Sequence, residues 1–156
     1  MAETFTSIHG AIIAGLIAAG IFAVFARLST LNVMNTVRYL STLFSSEPNA
    51  ALGWFLHFAI GCVLALIYVA VWNMGLRPSD FYLYSLIAGI VHWLIAGIVI
   101  GAAPAVHAGI RAGAVPAPGI YMSNIMGVWG FIAGLTGHIL FGFTVIYFYQ
   151  FFCFFR

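Results

Sequence analysis

Three histidines carry the chemistry this chain could do: His57, His92 and His138. Each lies inside a long apolar run, where a titratable side chain marks a functional position by default. Two of them repeat one pattern. Gly53-x-x-x-His57-x-x-x-Gly61 has Tyr68 seven residues on, and Gly134-x-x-x-His138-x-x-x-Gly142 has Tyr149 seven residues on. Positions i, i+4 and i+8 share a helix face, so each segment presents a glycine groove with an imidazole in its middle.

Three chemistries compete for these imidazoles. As neutral rings they hydrogen-bond facing helices and lock a bundle, the commonest use of such side chains in lipid. Two could ligate haem b iron from opposite helices, with His57 assisting, or all three could hold copper or zinc. They could also relay protons or bind a substrate. Flat glycine faces suit a porphyrin and suit plain packing equally. Against a metal, no carboxylate lies in any run to orient an imidazole. Against a transporter or proton channel, the runs hold no Asp, Glu, Lys or Arg and no breaking proline. Against an enzyme, no nucleophile–base pair and no H-x-x-x-H spacing occurs, so no catalytic residue is assigned. Cys62 and Cys153 suggest neither a metal site nor a disulfide.

The elements that must position these residues follow from composition. The chain has 156 residues, is 64% hydrophobic and only 5% charged, with a mean hydropathy of +1.13. A soluble domain needs about 25% charged residues to face water. Backbone groups in hydrocarbon must be satisfied within the chain, and the apolar runs are continuous rather than alternating, which predicts helices. Four runs reach the roughly 20 residues a span needs: 8–26, 50–74, 81–103 and 125–152. The expectation is an all-α, four-helix transmembrane bundle in a single integral domain, with both termini on one side. The N-terminus carries Glu3 and no basic residue before the first run, so that run reads as a retained helix rather than a secretory signal.

Every span has a row of small residues that lets backbones approach in lipid. The packing glycines are Gly15 in the first, Gly53 and Gly61 in the second, Gly89 and Gly97 in the third, and Gly130, Gly134 and Gly142 in the fourth. Trp93 interrupts the row of the third. The match between the second and fourth spans suggests a tandem repeat of helical hairpins, an arrangement found in transporters and in bundles that move nothing.

Three connections remain. Residues 30–45 read as an amphipathic interfacial segment, with Val33 or Met34, Val37, Leu40 and Phe44 on one face and Asn35, Arg38, Thr42 and Ser45 on the other. Ser46, Glu47 and Pro48 read as the start of the second span. A short turn, residues 75–80, predicts that the second and third spans are antiparallel neighbours. Residues 104–124, rich in Pro and Gly, read as an irregular loop in which His107 and Arg111 form a solvated pair. A dense aromatic run closes the chain, as expected at a membrane interface.

The net charge is +2 with no basic cluster, which argues against nucleic acid as a partner. Arg77 and Arg156 fall on the side of the termini, and Arg27, Arg38 and Arg111 on the other, a balance that leans towards termini outside.

The stretch Ala-Leu-Gly-Trp-Phe-Leu-His-Phe-Ala-Ile-Gly, residues 51–61, resembles a family of small four-span bacterial inner-membrane proteins of unknown function. The likeness extends to His-Trp-Leu-Ile-Ala-Gly at 92–97 and Gly-His-Ile-Leu-Phe-Gly at 137–142, and so covers most of the chain. It implies the four-helix fold and a bacterial inner-membrane location, and it supplies no activity. Such proteins usually begin with a basic N-terminus and are expected to keep their termini in the cytoplasm; this chain lacks the basic start. With no soluble domain, no catalytic set and abundant aromatic surface, the sequence points to an accessory subunit of a larger membrane complex, such as a respiratory or other redox assembly. The alternatives are a haem- or copper-binding membrane protein using His92 and His138, and a small transporter.

Overall fold

A computed structural model describes residues 2–29 and 35–154, with side chains for 8–29 and 35–153. The protein is an all-α bundle, and among the described residues there is no strand. Four helices are long and apolar enough to cross a membrane: α1 (Ala2–Leu28), α3 (Ala50–Trp72), α4 (Phe81–Ala102) and α7 (Val128–Phe154). Between them lie the short helices α2 (Thr36–Ser41), α5 (Ala108–Arg111) and α6 (Ser123–Met126).

Local chemistry sets the helix ends. Asn49, rather than the Ser46–Pro48 stretch, caps α3: its side chain accepts from the Leu52 amide at 3.0 Å, satisfying one of the orphan donors of the first turn. Asp80 begins α4 and spends its carboxylate on the Arg77 amide, 2.8 Å away. Gly127, at φ +57, breaks the chain between α6 and α7. The last span therefore starts at Val128 rather than Ile125, since only glycine adopts that backbone without strain.

Small residues decide which helices touch. A Cβ on Gly15 would meet Ala65, Cys62 and the Gly61 carbonyl, and one on Gly61 would meet Ala19, so α1 lies directly on α3. A Cβ on Gly89 would meet the backbone of His138 and Ile139, and one on Gly142 would meet the Ser85 carbonyl, so α4 lies directly on α7. α1 also packs along α7, through Ala11, Ala14 and Ala18 in the central cluster with Phe141, Val145 and Ile146.

The short turn does not make α3 and α4 a close pair. They have no backbone approach comparable to the other three seams, and large side chains fill the space between them. Tyr84 donates to the Tyr68 carbonyl at 2.7 Å, Trp72 packs on Tyr84, and Tyr68 reaches His92. A six-residue turn holds two helix ends together and leaves room for side chains rather than backbone to make the contact.

The two longer connections close one end together. Residues 30–34, with Val33 and Met34, lie outside the described part. In the rest of that segment Thr42 is fully buried and Phe44 is 76% exposed. The helix stops at Ser41, the Thr42 hydroxyl folds back on the Arg38 carbonyl at 2.9 Å, and the chain then pairs with the third connection through Ala108 N to Leu43 O and Gly109 N to Thr42 O. His107 is a correction to the solvated pair. It is fully buried, donates from Nε2 to the Tyr39 carbonyl at 2.9 Å and accepts from the Ile110 amide at Nδ1, while Arg111 is exposed. Backbone groups, invisible in a list of side chains, are its partners.

Residues 104–124 are also more ordered than an irregular loop. Tyr121 and Met122 turn back into the bundle at φ +53 and +63, a conformation that costs non-glycine residues about 1–3 kcal/mol and needs tertiary support. Support comes from Gly97 and Gly130. The Tyr121 ring lies where a Cβ of Gly97 would be, and Gly130 faces the Tyr121 carbonyl and Met122. The Tyr121 hydroxyl also donates to the Leu94 carbonyl at 3.2 Å.

Candidate functional site

His57, His92 and His138 come from three different helices and line one cavity of about 240 Å³. Its wall is otherwise mostly apolar, with Phe22 and Ala26 from α1, Leu64 from α3, Trp93 and Ala96 from α4, and Phe141 from α7, and with Thr36 of α2 as a polar exception. Tyr39 and Leu40 of α2 and Met122 close the capped end.

Each histidine is held by a different device. His57 donates from Nε2 to the Ala19 carbonyl, 3.0 Å away across the α1–α3 seam; the contact of Gly61 with Ala19 is what brings that carbonyl within reach. His138 Nδ1 lies 2.7 Å from the Gly134 carbonyl one turn earlier on its own helix. A carbonyl only accepts, so the proton sits on Nδ1 and Nε2 is left as a lone pair. His92 Nδ1 lies 3.2 Å from the Tyr68 hydroxyl across the α3–α4 gap.

The rings form a cluster. His92 and His138 meet edge to face with centroids 4.4 Å apart, and Trp93 lies 4.9 Å from His138. Phe22 stands between the deeper pair and His57, 5.3 Å from His138 and 6.4 Å from His57. His57 also borders a more polar recess lined by Arg27, Asn35 and Trp54.

Trp93 does not interrupt the glycine row in any damaging sense: its indole occupies the space a Cβ on Gly134 would need. The two helices are complementary, large into small. Trp93 is 1% exposed, and its Nε1–H is buried with no hydrogen-bond partner among the described residues. Buried donors are nearly always paired, so this Nε1–H, closed off within the α4–α7 seam, is an exception.

The packing glycines divide by task. Gly15, Gly61, Gly89 and Gly142 serve helix–helix contact, Gly134 seats Trp93, Gly97 and Gly130 hold Tyr121 and Met122, and Gly53 faces the backbone of Val37 in α2. The repeated tyrosines have diverged likewise. Tyr68 serves His92, whereas Tyr149 exchanges hydrogen bonds with Asn73 at the end of α3.

Among the described residues no three His, Cys, Asp or Glu side chains come together in metal-binding geometry. A haem is a poor match to a chamber of about 240 Å³, since even drug-sized ligands occupy pockets of about 300–1,000 Å³. The cavity suits a small, mostly apolar molecule with one polar end. No family model, no curated protein and no solved structure matches this chain.

Proposed function

We propose that this chain is a small multi-pass membrane protein, of the bacterial inner-membrane type its sequence resembles, that binds a small lipid-soluble molecule in the cavity shared by His57, His92 and His138. The observation that carries this reading is the convergence of the three intramembrane histidines on a single chamber. Pure packing would be served as well by three separate seams. Access is from the bilayer. Ile60 of α3 lines the cavity and is also 42% exposed on the outer surface, beside the α3–α4 gap where backbones stay apart.

Native mass spectrometry of protein extracted gently from its own membranes tests this. A small-molecule adduct should accompany the wild type and be absent from Ala96→Leu, which fills the chamber. A bare polypeptide in both, with no adduct gained on adding hydrophobic probes, overturns the reading. An adduct of haem or copper mass would favour the cofactor alternative, which requires His57 to release the Ala19 carbonyl before it joins the ligand set through Nε2. Flux that follows a substrate in liposomes would favour the small transporter.

A second reading, an accessory subunit of a larger membrane complex such as a redox assembly, is supported by the aromatic outer surface, where Phe55 and Trp129 are each 68% exposed. Lipid covers such a surface equally well. Loss of the protein when a partner subunit is deleted would support it, and unchanged abundance would count against it.

A further inference from the structure

We infer that the ligand's buried end is a single ring bearing a hydroxyl, a phenol or hydroquinone head on an apolar body. The inference rests on reading the cavity as a binding site and adds the chemistry of its deep end.

Size comes first. An apolar cavity of about 150 Å³ holds one benzene, so the chamber of about 240 Å³ here takes one ring with modest substituents and no fused macrocycle. The walls suit a ring. Phe22, Trp93, His138 and Phe141 all line the chamber, and aromatic groups prefer offset or edge-to-face neighbours of their own kind.

The polar atoms then specify the substituent. His138 keeps its proton on Nδ1, against the Gly134 carbonyl, and offers Nε2 as an acceptor. The Tyr68 hydroxyl has His92 Nδ1 as its one acceptor among the described residues; it donates there, which leaves the His92 proton on Nε2 as a donor. The His92 and His138 rings meet edge to face. A ligand hydroxyl matches such a pair, because its oxygen accepts from His92 while its hydrogen goes to His138. A carbonyl oxygen uses the donor and leaves the His138 lone pair idle, and a hydrocarbon uses neither.

The test compares three probes of similar shape on the whole protein in lipid nanodiscs: decylhydroquinone kept reduced under anaerobic conditions, the corresponding quinone, and decylbenzene. Binding is read by native mass spectrometry. Decylhydroquinone should bind about tenfold more tightly than decylbenzene, the worth of one or two net hydrogen bonds, and more tightly than the quinone. His138→Phe, which keeps a ring in place, should erase that preference while decylbenzene still binds. Equal affinity for decylhydroquinone and decylbenzene overturns the inference and leaves the cavity as an apolar site. Preference for the quinone also overturns it. Saturable binding of none of the three overturns the cavity reading itself.

Discussion

His92 and His138 meet edge to face at the α4–α7 seam, centroids 4.4 Å and planes 82° apart. Gly89 makes this possible: it abuts the backbone of His138 and Ile139, so the two helices are close enough for short, stiff imidazoles to touch. Each ring is oriented by a separate hydrogen bond, one from Tyr68 and one to Gly134. The pair is therefore positioned by packing first and polarity second.

That order predicts a contrast between glycines. Gly89→Ala pushes a methyl into backbone, which cannot move aside, and should destabilise the protein by about 1–3 kcal/mol. Gly20→Ala meets nothing within 4 Å and should be neutral or stabilising by up to about 1 kcal/mol, the helix propensity gain. Unfolding curves in a fixed detergent mixture compare the two.

Tyr68→Phe should cost about 1 kcal/mol, a typical value for one interhelical hydrogen bond in a membrane protein. Its sharper effect is on His92. With the hydroxyl present the ring proton belongs on Nε2; without it the two tautomers should mix. Nitrogen-15 NMR of labelled histidine reads the change directly, and an unaltered His92 spectrum would show that the Tyr68 contact orients nothing.

The cap should fail at His107. His107→Ala leaves the Tyr39 carbonyl and the Ile110 amide without their present partner, and a cost of about 2 kcal/mol or more follows from two stranded backbone groups. Faster hydrogen exchange over residues 107–115, with the spans unchanged, is the expected signature. Uniform protection would contradict it.

Burial raises the Tyr39 phenol above its ordinary value. The folded cap therefore holds the proton more tightly than the unfolded chain does. This contribution to stability is fully present below about pH 10, the ordinary tyrosine value, and is lost as pH climbs through the raised value in the folded protein. Protection of residues 107–115 should fall at alkaline pH in the wild type and hold in Tyr39→Phe.

Much of the architecture was legible because lipid leaves a chain few choices. Four apolar runs imply four helices, and the spacing of Gly15 against Gly61 and Gly89 against Gly142 is what two close seams require. Other features depend on pairings that no single segment displays. Trp93 looked like an interruption until set against Gly134 on another helix. His107 looked solvated because its partners are main-chain groups. The six-residue turn implied that α3 and α4 are antiparallel neighbours, but not that they meet through the large side chains of Tyr68, Trp72, Tyr84 and His92 rather than through backbone. The three histidines could be singled out in advance, but not that they share a chamber, because helical spacing sets a residue's face and not the rotation of one helix against the next.

The central claim is that a cavity open to the bilayer between α3 and α4 binds lipid-soluble molecules. Photo-crosslinking tests it most directly, using a diazirine-bearing phenol with an alkyl tail dissolved in the membrane, followed by peptide mapping. The account predicts saturable labelling concentrated on Ile60, Leu64 and Ala96, competed by unlabelled probe and removed by Ala96→Leu. Labelling spread evenly over outward positions such as Ile21, Ile67 and Ile95, and indifferent to competitor, would contradict it.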